Sequence, residues 1–292
     1  MNLSHNKSGH NTDINQLSKA SSFLKWNFGH PAQNSVADAF NLYYNRYYQS
    51  PDEIEYVWKH YDSRLNRLKQ LAMEGKKIIE IGCGIGMNSL FAALHGGRIH
   101  GVEVKPYDVT IANMQRDILE QSIGRKLDCR FECANIMNAE LKEQYDVVFM
   151  QEAFHHLEPR NTVVGIIDRV LKPGGILLCQ ESNAYNPVIQ AKLFKFRQAQ
   201  TIIERKEPES GEVFLFGNER ILTAGQMTRR FARVGIQCKR TRFFRILPTS
   251  LSKRKWLATL GEFVENKLEN SILNRPVCLH YEWEGNKSDL KS

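Results

Sequence analysis

Long apolar runs and paired cysteines are the features that this 292-residue sequence most clearly lacks. No window approaches the roughly 18 apolar residues that a membrane-spanning helix needs. The six cysteines are scattered along the chain, and none forms a Cys-x-x-Cys pair or a cluster with histidine. This spacing argues against a structural zinc site and a disulfide scaffold, so we predict that the protein binds no metal.

Targeting segments are also missing from the sequence. The first 20 residues are rich in Asn, Ser and His and contain no apolar core of the kind found in signal peptides. We therefore predict a flexible tail at 1–20 and a cytoplasmic location. The remaining composition, 42% apolar and 25% charged, is that of an ordinary globular protein.

The net charge of +8 is concentrated in one part of the chain. From Glu181 to Trp256 there are 16 Lys and Arg residues against six Glu, whereas the rest of the chain is close to balanced. Such a stretch could attract an anionic substrate, a nucleic acid or an acidic membrane surface, and a merely solvated basic face is at least as common. Charge alone does not choose among these interpretations.

Short β-branched runs alternate with helical patterns in the middle of the chain. The predicted strands are 77–81, 98–104, 127–133, 145–150 and 176–180, and the predicted helices between them are 88–94, 108–121 and 153–171. Strands separated by helices indicate a parallel, doubly wound sheet. A helix at 223–234, helical periodicity at 251–273 and strands at 237–247 and 277–283 follow, so that an antiparallel pair would close one edge of the sheet.

This pattern divides the chain into six predicted segments. The tail (1–20) is followed by an aromatic-rich helical cap (21–75), the first half of the core (76–182) and a lid or substrate insertion (183–222). The core is then completed by residues 223–286, which include a basic amphipathic helix, and residues 287–292 form a second tail.

The strongest motif is the loop Glu80-Ile81-Gly82-Cys83-Gly84-Ile85-Gly86, which lies between a predicted strand and a predicted helix. Glycine is needed where the backbone approaches a ligand closely or takes a positive φ angle. The dinucleotide-binding fingerprint has its third glycine one position later, where Met87 stands in this chain. A Gly-x-Gly-x-Gly loop of this kind, preceded by an acidic residue, suits a ligand without a pyrophosphate.

Glu103 ends the second predicted strand, 21 residues beyond Gly82. A carboxylate at this place can accept hydrogen bonds from both ribose hydroxyls of an adenosine cofactor. Either motif alone is weak evidence, because glycine loops and strand-end carboxylates are often structural. Their order and spacing together predict a site for an adenosine-type cofactor.

With these motifs the sequence resembles the class I S-adenosylmethionine (SAM)-dependent methyltransferase family over about Ile78 to Gly235. Other matches are Tyr145–Gln151, the following Phe154-His155-His156-Leu157, and Leu171-Lys172-Pro173-Gly174-Gly175 before the fifth strand. The resemblance implies SAM as cofactor, with 76–182 as the SAM-binding half. It also implies a Rossmann-like α/β fold with a doubly wound, mostly parallel seven-stranded sheet and an antiparallel C-terminal strand.

The resemblance also assigns roles to single residues. The glycines would lie under the methionine part of SAM, Glu80 would organise its ammonium end, and Glu103 would bind the ribose. Asn135 would meet the adenine amino group and Ile136 its ring, although the family often has Asp where Asn135 stands. The full predicted set of cofactor-binding residues is Glu80, Gly82, Cys83, Gly84, Gly86, Glu103, Val104, Asn135, Ile136 and Gln151.

Catalysis of methyl transfer depends mainly on alignment of the nucleophile, the methyl carbon and the sulfur, which can supply about 7–11 kcal/mol of the barrier. A general base contributes less, and a hydroxyl or activated carbon acceptor would still require one. His155 and Glu152 are the predicted catalytic residues, because they follow the fourth strand where ligands of open α/β sheets bind. For His156, packing against the following helix is the favoured interpretation.

Two further segments could contact a substrate or a surface. The lid contains Phe194, Phe196, Phe214 and Phe216 close to lysines and arginines, and Lys253-Arg254-Lys255-Trp256 opens a helix with one apolar face. The lid could lie over an anionic or amphipathic substrate, and the basic start of the helix could rest on a membrane surface. Packing against the core is the more common outcome, and we predict it for both.

The sequence therefore predicts a SAM-dependent methyltransferase acting on O, N or C of a small or lipid-like, anionic metabolite. An RNA or protein methyltransferase that docks through the basic third is an alternative, although no RNA-binding module is recognisable. A non-catalytic SAM-binding protein is disfavoured by the intact motif, and a dehydrogenase by Met87. Peripheral membrane contact stays open, and the sequence does not determine the oligomeric state.

Overall fold

A seven-stranded sheet forms the centre of the protein. The computed structural model describes residues 14–29, 38, 55–269 and 271–289. The strands of the described residues are β1 (Lys77–Ile81), β2 (Arg98–Glu103), β3 (Cys129–Cys133), β4 (Tyr145–Gln151), β5 (Leu171–Ser182), β6 (Ile202–Lys206), β7 (Val213–Gly217), β8 (Ile236–Phe244) and β9 (His280–Lys287). Strands β6 and β7 form a separate two-stranded sheet. The sheet order is β3-β2-β1-β4-β5-β9-β8, in which β1 to β5 are parallel and β9 is antiparallel to both neighbours. This order confirms the predicted doubly wound sheet with an antiparallel C-terminal strand.

Helices cover both faces of this sheet. They are α1 (Ala20–Gly29), α2 (Glu55–Met73), α3 (Met87–Leu94), α4 (Pro106–Ile123), α5 (Arg160–Val170), α6 (Pro187–Arg197), α7 (Ala224–Ala232), α8 (Thr249–Ser252), α9 (Lys255–Leu268) and α10 (Asn274–Val277). Alternation within the strands builds two separate cores, because successive side chains point to opposite faces. In β1, for example, Ile78 packs with α1 to α4, whereas Ile79 and Ile81 pack with α5 and α7.

The N-terminal helices form part of the core. Phe23 of α1 is fully buried and meets Phe91 of α3 with 5.6 Å between ring centroids. Leu17 is also buried, at 3% exposure, in a short 3-10 helix at Ile14–Leu17. The predicted flexible tail is therefore wrong for residues 14–20. Residues 1–13 and the aromatic pattern between Phe40 and Tyr48 lie outside the described residues.

Several predicted elements have different bounds in the structure. The predicted helix at 153–171 is interrupted at Pro159, which has no N–H and restricts the residue before it, so α5 begins at Arg160. The helical pattern at 251–273 is divided between α8 and α9. The last strand begins at His280 rather than at 277 and extends to Lys287, whose ammonium group pairs with Asp168 at 2.8 Å.

The insertion after β5 consists of α6 and the antiparallel hairpin β6–β7, and we call these elements the lid. Phe194 and Phe196 of α6 are 67% and 72% exposed, and Trp256 and Phe263 of α9 are 64% and 59% exposed. The prediction that these aromatic side chains pack against the core is therefore wrong. Among the described helices, none has the length and apolar character needed to cross a membrane.

Candidate functional site

The glycine loop connects β1 to α3 at the carboxyl edge of the sheet. Gly82, Gly84 and Gly86 all have positive φ angles, of 74°, 51° and 78°. A Cβ atom at Gly82 would lie 2.8 Å from Ala153, and one at Gly86 would lie 2.7 Å from Phe131. At Gly84 a Cβ atom would meet nothing within 4 Å. Two of the glycines are thus required by packing, and the third exposes backbone to open space.

Cys83 contributes only its backbone to this loop surface. Its amide donates a hydrogen bond to the carbonyl oxygen of Val102 at 3.2 Å. Its side chain is buried against Gly101, where a Cβ atom would come within 2.9 Å of the Cys83 sulfur. Burial raises the pKa of the Cys83 thiol well above its usual value, so the thiol stays protonated at neutral pH.

Glu103 is bonded to the glycine loop. Its carboxylate accepts hydrogen bonds from the amides of Gly84 at 3.0 Å, Val104 at 3.0 Å and Lys105 at 3.2 Å. Burial raises the pKa of Glu103, and the amides of Gly84 and Lys105 oppose that shift. The predicted ribose ligand, Val104 and the open glycine therefore lie together.

Glu80 is buried beneath the same loop. Its two carboxylate oxygens accept hydrogen bonds from the side chains of Asn88 and Ser89 in the first turn of α3. Burial raises the pKa of Glu80 to about 7, and the two side-chain donors limit that rise. In this arrangement Glu80 fixes the start of α3 against β1. Its predicted role toward the ammonium group of SAM stays a prediction.

The loop after β3 carries Asn135 and Ile136 close to Glu103, because the amide of Ala134 donates to the Glu103 carbonyl oxygen at 2.9 Å. Ile136 is 4% exposed and belongs to the core on the α5 side. The Asn135 side-chain amide donates to Glu212 of the lid at 2.8 Å. Asn135 therefore joins the cofactor edge to the lid hairpin.

Gln151 ends β4 beside these loops, next to the paired strand position Gln180. Its side-chain oxygen is buried, and no hydrogen-bond partner for it exists in the described part of the chain. A buried acceptor without a partner costs free energy unless a ligand or water satisfies it. Together with the open backbone at Gly84, this acceptor fits a bound ligand that donates hydrogen bonds.

Glu152 has a positive φ angle of 50° and is held by donors from three other parts of the chain. One carboxylate oxygen contacts Arg64 at 3.3 Å and His280 at 2.9 Å, and the other accepts from the amide and hydroxyl of Ser182. Burial acts to raise its pKa, but His280 and Arg64 outweigh burial and hold the pKa far below the usual range. A carboxylate so fully bonded is a weak proton acceptor.

His155 is buried, at 3% exposure, and its Nδ1 is hydrogen-bonded to Glu181. The second Glu181 oxygen accepts from the backbone amides of Ala153 and Phe154 at 3.2 and 2.8 Å. Burial lowers the pKa of His155, but the Glu181 carboxylate more than compensates and raises it to about 9. At neutral pH the ring is therefore an imidazolium, which cannot accept a further proton.

His156 lies against the lid. Its Nδ1 donates to the carbonyl oxygen of Gly217 at 2.8 Å, and its ring stacks on Phe216 at 4.3 Å. Burial and the positive charge of His155 lower the pKa of His156 to about 3, so this ring is neutral at physiological pH. His156 therefore packs against the lid hairpin, whereas the favoured interpretation from the sequence is packing against a helix.

The lid hairpin spans the carboxyl edge of the sheet. Its turn is tied to the loop after β3, because Glu212 accepts from both Asn135 and Asn138, at 2.8 and 3.0 Å. Its second strand is tied to the segment after β4 through His156 and a bridge between Leu157 and Phe216. The predicted cofactor residues and both predicted catalytic residues therefore lie along the edge that the hairpin crosses.

Sequence reasoning missed Arg64 and His280 as parts of this site. His280 pairs with Ser182 across β9 and β5, a register that no local pattern reveals. The sequence did contain a signal for Arg64, because its position has the helical spacing of the buried residues Val57, Tyr61 and Leu68 of α2. A charged residue on an apolar helix face requires a buried partner, which here includes Glu152.

Within the described residues, two groups of side chains have the composition of metal ligands. Potential ligand atoms lie within 4.8 Å of one another in Glu152, His155 and Glu181, and likewise in His155, His156 and Glu219. A cation at the first group would have to displace the His155 proton and compete with the donors that hold Glu152. That the protein binds no metal stays a prediction.

Comparison with known proteins agrees with this geometry. Residues 79–179 match a family model described as a methyltransferase domain. Together with the sheet order and the glycine loop with its partner Glu103, this match shows that the chain has the Rossmann-like fold of the class I SAM-dependent methyltransferases and that residues 79–179 are similar to a methyltransferase domain.

Individual relatives are similar over part of the chain. The ubiquinone biosynthesis O-methyltransferase of Stutzerimonas stutzeri is 33% identical over 107 residues, which cover 37% of this chain and 44% of that protein. The protein of the same name from Pseudomonas savastanoi pv. phaseolicola is 30% identical over 135 residues, covering 46% and 55%. The chain thus spans about half the length of these curated relatives.

Solved structures extend the likeness of fold beyond the matched domain. Magnesium protoporphyrin IX methyltransferase from Synechocystis PCC 6803, crystallised with SAH, superposes with a TM-score of 0.53 at 11% identity, covering 91% of this chain and 99% of that one. A SAM-dependent methyltransferase from Methanosarcina mazei has a TM-score of 0.51 at 16% identity, with coverages of 73% and 92%. At these identities the likeness concerns the fold alone.

Proposed function

We propose that the protein transfers the methyl group of SAM to an oxygen atom of a small molecule. The observation that carries this proposal is the group formed by the open backbone at Gly84, the adjacent Glu103 carboxylate and the unpartnered buried acceptor of Gln151. These features suit the hydrogen-bond donors of an adenosyl amino acid. The names of the curated relatives, which are O-methyltransferases, favour oxygen over nitrogen or carbon as the acceptor atom.

The residues that would hold SAM are those gathered at the carboxyl edge of the sheet. Glu103 would accept from the ribose hydroxyls, the loop from Gly82 to Gly86 would lie under the methionine part, and Asn135 and Ile136 would border the adenine. When bound, SAM supplies an electrophilic methyl group on a sulfonium whose departure leaves a neutral thioether. The chain must therefore orient the acceptor oxygen and exclude water, and the lid hairpin lies in the right place to do both.

In this proposal neither His155 nor Glu152 acts as a general base. The charge of the His155 imidazolium is balanced by Glu181 at Nδ1, but its Nε2–H would be a hydrogen-bond donor just beyond β4, which favours an acceptor oxygen in its ionised form. Glu152 orients Arg64 and His280 around that position. On this account the acceptor proton leaves before transfer, so acidic hydroxyls such as phenols are preferred over aliphatic alcohols.

The acceptor is further proposed to be anionic or lipid-like. This proposal is supported by the net positive charge of the segment from Glu181 to Trp256. It is also supported by the exposed Phe194 and Phe196 of α6, which are adjacent in sequence to Lys195 and Arg197. The same features, with Trp256 on α9, favour peripheral contact with an anionic membrane as a second proposal. Co-sedimentation with anionic but not neutral vesicles tests it, and loss of binding in Trp256→Ser is expected.

The direct test is transfer of a labelled methyl group. The purified protein is incubated with methyl-labelled SAM and a panel of phenols that differ in charge and in apolar tail, and the products are identified by mass spectrometry. We expect label on oxygen, with preference for acidic phenols, and much less product from the Glu103→Ala variant when SAM is not saturating. Label found only on nitrogen or carbon would contradict the assigned acceptor atom.

A further inference from the structure

An arginine-lined cavity of about 360 Å³ lies where the lid joins the core. Six arginines line it: Arg160, Arg197, Arg220, Arg229, Arg230 and Arg233. They come from α5, the end of α6, the segment after β7, and α7. No acidic side chain of the described residues lines the cavity, and five of the six arginines belong to the basic stretch from Glu181 to Trp256.

Arg160 is the most deeply buried member of this group, at 3% exposure. Its Nη2 donates to the carbonyl oxygen of Arg220 at 2.9 Å and lies near Glu158. Its Nε and Nη1 atoms are buried and have no hydrogen-bond partner within the described residues, and the same holds for Nε of Arg197 and of Arg230. Buried donors on a cation that lack partners are costly, so an anion in the adjacent cavity, which would offset this charge, would be bound favourably.

The charge around the cavity is poorly compensated. Glu158 is the one carboxylate that pairs with lining arginines in the described structure, at 3.1 Å from Arg160 and 2.7 Å from Arg220. Burial lowers the pKa of Arg160 to about 10. The charges of Arg220 and Arg230 also lower this pKa, whereas the Glu158 carboxylate raises it. Burial and neighbouring guanidinium groups also lower the pKa of Arg230. The guanidinium groups thus repel one another in the absence of an anion.

We propose that this cavity is a binding site for a small phosphate-class polyanion, with Arg160, Arg220 and Arg230 as its inner ligands. The planar fork of arginine matches the oxygen geometry of phosphate, and several forks can converge on one group. The volume suits a small ligand, and the burial of Arg160 places it beyond reach of the backbone of a long nucleic acid. Because Arg220 follows the lid hairpin whereas Arg160 and Arg230 belong to core helices, a bound polyanion would fix the end of the hairpin against the core.

The site is separate from the cofactor loop, since none of its lining residues belongs to the predicted SAM-binding set. It is nevertheless close to the methyl-transfer region, because Arg220 follows Glu219, whose carboxylate lies 3.8 Å from Nε2 of His155. A polyanion bound there would hold the segment that follows β7, at Glu219 and Arg220, next to His155. The proposal does not depend on methyl transfer, because binding can be measured without SAM.

Calorimetric titration of the full chain with pyrophosphate, at fixed ionic strength and without SAM, tests the proposal. We expect one saturable site per chain, weakened roughly tenfold or more in Arg230→Gln, which loses one charged ligand. Arg160→Lys keeps the charge but loses the fork and should also bind more weakly. The matched control is Arg254→Gln, which lowers the net charge equally outside the cavity and should bind like the wild type.

The source of the phosphate is distinguished by a second titration with a short-chain phosphatidic acid below its micellar concentration. Tighter binding than that of pyrophosphate identifies a lipid headgroup, and weaker binding identifies a free polyanion. The proposal is overturned if pyrophosphate shows no saturable binding, or if Arg254→Gln weakens it as much as Arg230→Gln does. Binding of single-stranded RNA without binding of pyrophosphate would overturn it as well.

Discussion

Glu103 connects the two cofactor motifs through a single carboxylate. It accepts three backbone hydrogen bonds, and ribose hydroxyls would compete for the same oxygens. We expect Glu103→Ala to weaken binding of S-adenosylhomocysteine by roughly 10- to 100-fold, through the loss of hydrogen bonds to a charged group. Calorimetry measures the affinity, and circular dichroism verifies that the variant is folded. Glu140→Ala, on an exposed loop, is the control. Unchanged affinity in folded Glu103→Ala would refute the ribose assignment.

His155 provides a pH-dependent prediction. Its pKa in the folded protein is about 9, above the unfolded value of 6.5, so the stability it contributes is fully present below pH 6.5 and is lost as pH rises through 9. The difference in free energy of unfolding between wild type and His155→Gln should shrink by about 3 kcal/mol over that interval. Urea denaturation at a series of pH values measures it.

The neighbouring histidine serves as the control for this pH profile. The pKa of His156 is lowered to about 3, so the ring is neutral in both folded and unfolded protein above pH 7. The difference between wild type and His156→Gln should therefore be flat from pH 7 to 9. A flat profile for His155→Gln as well would mean that Glu181 does not hold the imidazolium.

Single residues also mark the limit of sequence-based prediction at this site. The predicted cofactor residues lie at one edge of the sheet because each is at or just beyond the carboxyl end of a parallel strand, and strand ends can be read from sequence. The partners of Glu152 cannot be read in this way, since Arg64 and His280 are 88 and 128 positions away in sequence. His155 and Glu152 were correctly placed beyond β4, but their protonation depends on those distant partners.

At the scale of elements, the lid hairpin is held at its turn by Glu212. This carboxylate accepts hydrogen bonds from Asn135 and Asn138, which belong to the loop after β3. We expect Glu212→Ala to increase amide hydrogen exchange within β6 and β7 by about tenfold, corresponding to roughly 1.4 kcal/mol of lost local stability. Glu209→Ala, in the same turn, should leave exchange unchanged. Equal exchange in the two variants would show that Glu212 does not fasten the hairpin.

The elements that sequence predicted well are those with strong local patterns. The glycine loop, β1 to β4 and α3 have clear periodicity and turn residues, and they appear close to their predicted positions. Elements that depend on tertiary packing differ. The apolar faces of α6 and α9 were expected against the core, yet their aromatic side chains are exposed. Periodicity shows that a helix has an apolar face but does not identify what that face contacts.

At the scale of the whole molecule, topology follows from alternation and composition. Five parallel strands with helices between them leave few possible arrangements, because crossover connections are right-handed. The observed order, with β9 inserted antiparallel between β5 and β8, completes this arrangement. The arginine cavity could not be predicted in the same way, since its members come from four segments that only the fold brings together.

The central claim is that this fold binds an adenosyl amino acid at the edge formed by Gly84, Glu103 and Gln151. Calorimetric titration of the wild-type protein with S-adenosylhomocysteine tests it most directly, with NADH as the control ligand. The account predicts one site of about micromolar affinity for S-adenosylhomocysteine, roughly −8 kcal/mol, and no binding of NADH. Absence of S-adenosylhomocysteine binding, or preferential binding of NADH, would contradict it.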